Sequence, residues 1–308
     1  MKLKSITKKE VSQIPYNVDV TTTDKCLICS ISVLFQRRTN IEDGCMSFRL
    51  NWTIKQLYDL QGFSAHKAVL ESPWKFYLSL FIKFIPGLYK KPIIFTTRTG
   101  DKIIIKKFMS IYIYKEIFVD GCYDNLPVKS NKPLVIEVGA NTGLFVLRIK
   151  STYPEAEIIS YEPYPPNYNS LLETIELNNI ENIKPIKMAV ADKPGKLKLF
   201  IHPTNIGGHS IFEENAGENY IEVKATTIES ILSDNNISVC DLLKLDCEGA
   251  EYLILKSLTR EIANNIRNIV YEPTHNQYSV EELNSYLKNL GYNIRSQHGL
   301  IVASMEKI

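Results

Sequence analysis

From residue 131 onward the chain alternates short apolar runs with stretches of helical periodicity. Residues 134–138, 157–162, 184–190, 196–201, 220–226, 240–245 and 267–272 are rich in strand-favouring side chains and read as strands. Residues 144–149, 167–177, 250–258 and 280–290 instead place apolar residues on one helical face, as Leu171, Leu172 and Ile175 do. The run 240–245 is apolar except for Asp241 and Lys244, which predicts a central strand buried on both faces. Residues 292–303 read as a closing hairpin. This alternation predicts an α/β fold with a doubly wound, Rossmann-like sheet.

Before residue 131 the pattern is less regular. Residues 26–35 read as a strand, and 51–60 have helical spacing at Trp52, Leu57 and Leu60. Residues 93–105 form a hairpin pattern around Arg98-Thr99-Gly100-Asp101. The apolar stretch 109–118 fits either a strand or a helix. Residues 73–86, from Pro73 to Pro86, are aromatic and apolar but too short and too charged to span a bilayer. Two readings stand for this segment. The plainer one is a helix packed within the N-terminal part. The other is an interfacial helix in peripheral membrane contact, with Lys75, Lys83, Lys90 and Lys91 near the headgroups.

The candidate chemistry centres on Leu134 to Gly143, where a strand runs into a glycine turn and then a helix. In an open α/β sheet this unit builds a nucleotide or cofactor crevice. Gly139 and Gly143 permit a sharp turn and a close backbone approach to a ligand. The spacing is not that of the dinucleotide fingerprint, and no Gly-Lys-Ser/Thr follows, so a triphosphate ligand is not expected. A second strand ends in Glu162, nineteen positions after Gly143, where such crevices place a carboxylate on the ribose hydroxyls.

Three blocks carry a family resemblance: Glu137-Val138-Gly139-Ala140-Asn141-Thr142-Gly143, Tyr161-Glu162-Pro163, and Asp241 to Glu251 with its Lys-x-Asp-x-Glu-Gly-Ala-Glu run. They resemble the FkbM family of S-adenosylmethionine-dependent methyltransferases over roughly residues 93–303. The resemblance implies S-adenosyl-L-methionine as cofactor, with Glu137, Gly139, Ala140, Asn141 and Gly143 at its methionine end and Glu162 at its ribose. Asp192 then borders the adenine, or else merely opens the Asp192-Lys193-Pro194-Gly195 turn. The implied reaction is O-methylation of a sugar, glycan or secondary metabolite. Asp246 is the first candidate for base or metal ligand, with Glu248 beside it and Lys244 as a structural partner on the same strand face. Asp246 and Glu272 at adjacent strand ends, with His275 and Asn276 just beyond, leave a magnesium site open, although the resemblance requires no metal and none is expected. His209, on a glycine-bearing loop at 205–211, is a candidate proton acceptor and lid residue. Residues near Tyr123 either approach the cofactor or pack in the core.

Composition adds bounds. The 308 residues carry a net charge of only +2. Residues 1–130 hold 20 Lys/Arg against 11 Asp/Glu, and the remainder 16 against 23, so the N-terminal part is basic and suits an anion. The expected division is an extension over 1–91 and a methyltransferase domain over 92–308, with the cofactor core at 131–304. The six cysteines offer one close pair, Cys26 and Cys29, short of a structural zinc site. No apolar block follows Lys2 and Lys4, which implies no secretory signal and a cytoplasmic setting. The expected partner is a small molecule or glycan. No nucleic acid is expected, since no recognisable nucleic-acid module is present. A nucleic-acid methyltransferase using the basic half, and a non-catalytic binding module on the same fold, are the rival readings.

Overall fold

The computed structural model describes residues 41–59, 62–84, 90–202, 207–213, 218–274 and 278–306. The strand expected at 26–35, the Cys26–Cys29 pair, His275 and Asn276 lie outside them. Among the described residues three helices come first: α1 (Ile41–Tyr58), α2 (Gly62–Val69) and α3 (Trp74–Phe84). The hairpin β1 (Ile93–Thr96) and β2 (Lys102–Ile105) follows as expected. The ambiguous 109–118 stretch is helical, as α4 (Phe108–Tyr114) running into a π-helical turn, Lys115–Val119. Then come β3 (Leu134–Val138), α5 (Leu144–Thr152), β4 (Glu157–Tyr161), α6 (Pro165–Leu177), β5 (Ile183–Ile186), β6 (Ala189–Val190), β7 (Gly195–Phe200) and β8 (Tyr220–Thr226). The chain continues through α7 (Ile228–Asp234), β9 (Leu242–Leu245), α8 (Ala250–Lys256), α9 (Arg260–Ala263), β10 (Asn268–Tyr271), α10 (Val280–Leu290), β11 (Asn293–Gln297) and β12 (Leu300–Ser304).

Seven strands form the main sheet in the order β11-β12-β10-β9-β3-β4-β5. Neighbours from β10 to β5 pair in parallel, and β12 runs antiparallel to both β10 and β11. The chain leaves β3 through β4 and β5 on one side and resumes at β9 on the other. The winding direction therefore reverses between β3 and β9, where an open sheet leaves a crevice at its carboxyl edge. The doubly wound reading of the sequence holds in this topology.

One segment departs from expectation. Residues 184–190 do not make a single strand: β5 stops at Ile186, and β6 joins a separate three-stranded sheet, β6-β8-β7. Pro185 lies in β5, the edge strand, where a missing N–H is tolerated but further pairing is not favoured.

Alternation along the strands fills two cores. Val135, Leu242, Val270 and Val302 face one, Ile136, Leu243, Ile269 and Ile301 the other. The first also contains Trp52, Phe76 and Leu80 from α1 and α3. Phe76 is wholly buried, with its ring 3.6 Å from that of buried His66. Of the segment 73–86, the described part, 73–84, is thus a packed helix on its inner face. No helix among the described residues is long and apolar enough to cross a membrane.

The tightest contact at the reversal is between loops. Gly139, at φ +81°, lies so close to Asp246 that an added Cβ falls 1.9 Å from the Asp246 carbonyl oxygen. The glycine is needed for this loop–loop approach. Gly143, at φ +83°, is needed because a Cβ meets Leu171 of α6 at 2.8 Å. Both requirements come from protein packing. Gly139→Ala is expected to destabilise the fold, by about 1–2 kcal/mol for the left-handed backbone plus roughly 1–3 kcal/mol for the collision. Urea unfolding checks this, and a variant as stable as the parent contradicts the contact.

Candidate active site

Two short loops face each other across the β3–β9 boundary. The first, 139–143, hangs from β4: the Gly139 and Ala140 N–H groups both donate to the Tyr161 carbonyl, at 2.9 and 3.0 Å. Gly143 N–H turns back to Ala140 O at 2.9 Å, and Thr174 Oγ1 donates to Thr142 O at 2.7 Å. Asn141 sits at φ +49°, and its Oδ1 is buried without a hydrogen-bond partner among the described residues. Gly143 caps α5 with no side-chain bond to the helix, so the orphan N–H groups of that helix start have no side chain upon them.

Glu162 closes this loop. Its Oε2 accepts from Asn141 N–H and its Oε1 from Tyr164 N–H, both at 2.8 Å. Burial pushes its carboxyl up to about 7, although both backbone donors pull it down. Each oxygen keeps a further acceptor site, since a carboxylate offers about four.

The second loop, 246–249, is closed in the same way by a residue that sequence reasoning did not single out. Glu251 is fully buried on the first turn of α8. It accepts from Cys247 N–H at 2.6 Å and from Gly249 N–H at 2.7 Å. The loop requires such support because Glu248 is held at φ +52°, which costs a non-glycine residue about 1–2 kcal/mol. An acidic residue two positions after a strand-end glycine, in the first turn of the following helix, was the available signal for Glu251.

A buried lysine joins the two loops. Lys244 on β9 lies in register with Glu137 on β3, and Glu137 with Ser160 on β4. Lys244 Nζ donates to Gly139 O at 2.8 Å, and stands 3.2 Å from Asp246 Oδ2 and 3.9 Å from Glu137 Oε1. Ser160 Oγ donates to Glu137 Oε2 at 2.5 Å. Burial pulls the Lys244 ammonium down, but the Asp246 and Glu137 charges more than offset it and hold it above its ordinary value. Glu137, expected at the cofactor, has no exposed surface. It is a strut beneath the glycine loop, because its side chain points into the sheet's buried layer along with Lys244. Burial lifts it to about 7 against the pull of Lys244 and Ser160.

Asp246 differs from Lys244 and Glu137 in that 36% of its side chain is exposed. Glu248 and Glu272 lie near it. Burial raises Glu248 to about 8, with Asp246, Glu251 and Glu116 adding to the effect. Burial, then Asp246 and Glu116, raise Glu272 well above the usual carboxylate range. Glu116, from the π-helical turn, carried no sequence signal. Tyr123 is buried edge-on against Phe145, with ring centres 4.8 Å apart. Among the described residues no cluster of three His, Cys, Asp or Glu side chains is arranged to hold a metal.

His209 is placed differently from the proton acceptor expected. Its Nδ1 accepts from the His202 N–H at 3.1 Å and its ring packs 4.1 Å from that of Tyr164. Burial, with His202 and Lys107, lowers it to about 4. The ring is therefore neutral at pH 7 and its proton sits on Nε2, which makes that nitrogen a donor. Next to it, Ser210 Oγ donates to Glu248 O at 2.7 Å. Residues 209–210 thus reach from the Glu162 side of the crevice to the Glu248 side. Asp192 opens a bend at 192–194 and lines a separate hollow of about 410 Å³ with Lys193, Pro194 and Ile211. No hydrogen bond or ion pair among the described residues joins it to Gly139, Glu162 or Asp246.

Glu137, Glu162 and Glu248 are all raised from 4.5. The folded chain then binds their protons more tightly than the unfolded chain does. Their contribution to stability is complete below pH 4.5 and is lost as pH rises through 7 to 8. The urea midpoint is expected to fall between pH 5 and 8.5, and Glu137→Gln to flatten that fall. An unchanged slope in the variant rules out Glu137 as a titrating strut.

Residues 137–294 match the family model described as the methyltransferase FkbM domain. Methyltransferase sdnD of Sordaria araneosa is 30% identical over 221 residues, spanning 62% of this chain and 85% of that protein. The 31-O-demethyl-FK506 methyltransferase FkbM of Streptomyces tacrolimicus is 22% identical over 226 residues, 63% of this chain and 86% of that one. Among solved structures, methyltransferase FkbM from Methylobacillus flagellatus KT superposes with a TM-score of 0.43 at 12% identity, covering 82% of this chain and 60% of that chain.

Proposed function

The chain belongs to the FkbM methyltransferase domain family and is a methyltransferase; from that premise we propose that it moves a methyl group from S-adenosylmethionine to a hydroxyl of a secondary metabolite or glycan. The observation that carries this reading is the partly exposed Asp246 carboxylate, fixed by buried Lys244 at the point where the sheet reverses. The name of the Streptomyces tacrolimicus relative, which gives a substrate lacking an O-methyl group, supports an oxygen acceptor.

The residues at the crevice fit such a cofactor. Asn141 Oδ1 is an unpaired buried acceptor, suited to an ammonium donor. The α5 start, free of a side-chain cap, suits a carboxylate through its orphan N–H groups. Glu162 keeps acceptor capacity for two ribose hydroxyls. Gly139 and Ala140 contribute shape more than donors, since their N–H groups already bind Tyr161 O. Asp192 has the weakest support for an adenine contact. When bound, the cofactor supplies a sulfonium-activated methyl electrophile.

Asp246 accepts the hydrogen bond of the acceptor hydroxyl, orients its lone pair for in-line attack, and takes its proton. Lys244 keeps the carboxylate in place and is a positioning residue. Glu248 shapes the loop through its left-handed backbone, and its carboxyl, raised to about 8 by burial, keeps its proton near pH 7. His209 keeps a buried donor, Nε2, without a partner among the described residues, on the ring packed against Tyr164.

Asp246→Asn is expected to lower methyl transfer by about 10²–10⁴-fold, the usual worth of a positioned base, while calorimetric affinity for the cofactor stays close to the parent's. Glu162→Ala is expected to weaken cofactor binding by about 1–3 kcal/mol. Transfer of labelled methyl into a metabolite extract is the assay. Full activity of Asp246→Asn rejects the assigned base, and absence of heat with S-adenosylhomocysteine rejects the cofactor.

A further inference from the structure

Helix α3 has two apolar faces. Phe76, Ser79, Leu80 and Lys83 are buried in the first core. On the opposite side Trp74, Leu78 and Phe81 are 56%, 43% and 60% exposed. Their spacing of four and three residues puts them on one stripe. Tyr77 continues the stripe to Phe63 of α2, 48% exposed, whose ring stacks on it at 6.0 Å. The two lysines of the helix do not break this surface. Lys75 Nζ donates to Ile94 O and Lys83 Nζ to Lys91 O, both away from the stripe. A surface helix of a soluble domain ordinarily turns charged residues outward, and this one turns out tryptophan and phenylalanine.

The surroundings are basic. Residues 62–107 contain nine Lys/Arg and two Asp/Glu. Exposed Lys90 and Lys91 flank the C-terminal end of α3, where Lys83 holds the Lys91 carbonyl, and exposed Lys67 lies on α2 beside Phe63. Aromatic side chains on one helical face with lysines at the margin match a headgroup boundary, where rings enter the acyl edge and ammonium groups meet lipid phosphates. We propose that the Trp74–Leu78–Phe81 face of α3 docks the enzyme on an anionic membrane surface, with Phe63 extending the apolar contact and Lys67, Lys90 and Lys91 binding lipid headgroups. The docking is independent of the methyl acceptor's identity.

The test uses the full chain with phosphatidylcholine vesicles and with mixed phosphatidylcholine–phosphatidylserine vesicles. The protein is expected to float with the mixed vesicles and to be released by salt. The chain has two tryptophans, and Trp52 is buried in the core, so acrylamide quenching of the free protein reports Trp74. Vesicles are expected to shift its emission to the blue and to protect it. The double variant Trp74→Gln, Phe81→Gln should bind mixed vesicles roughly tenfold or more weakly, by the apolar area removed, with an unchanged circular dichroism spectrum. Equal flotation with neutral vesicles, or binding indifferent to the double variant, overturns the proposal. Trp74 already protected without vesicles overturns it in favour of a cover from this chain. A concentration-dependent dimer abolished by the same substitutions overturns it in favour of a second copy.

Discussion

The buried Lys244 ammonium is the interaction on which the rest of the crevice rests. It reaches the Gly139 carbonyl, Asp246 and Glu137 at once, so it ties the two loops that meet at the sheet's reversal. An unpaired buried ammonium is too costly to persist. The surrounding geometry therefore follows from keeping it paired: Glu137 opposite it in register, Asp246 turned back towards it, and Gly139 without a side chain so that the loops can close. The same set of contacts leaves the Asp246 side chain partly exposed.

The loops themselves are stabilised by a repeated device. A buried carboxylate accepts two backbone N–H groups, Glu162 in the first loop and Glu251 in the second. Loops without regular hydrogen bonding need such partners, and a preorganised crevice needs loops that do not rearrange when a ligand arrives. The cost is electrostatic. Burial of several carboxyl groups near Asp246 makes the folded state hold protons that the unfolded chain releases. Stability and the charge of the site are thereby linked to the same groups.

The N-terminal helices serve the site indirectly and face outward in a different manner. Trp52, Phe76 and Leu80 complete a core shared with the sheet, while the π-helical turn after α4 brings the Glu116 charge to bear on Glu248 and Glu272. The outer stripe of α3 has no such internal task.

The sequence determined the strand–helix alternation, the glycine turn, Glu162 at a strand end and the family, because each is written in local periodicity or in a contiguous motif. It also determined that Lys244 and Asp246 share a strand face, since that is a period of two. It did not determine that Glu137 lies beneath the loop, that His209 presents a donor, that 184–190 divides between two sheets, or that Glu116 joins Glu248 and Glu272. Those depend on which residues stand opposite across strands and loops far apart in the chain. Only tertiary packing decides burial, and burial decides the charge, the tautomer and the outward face of each group.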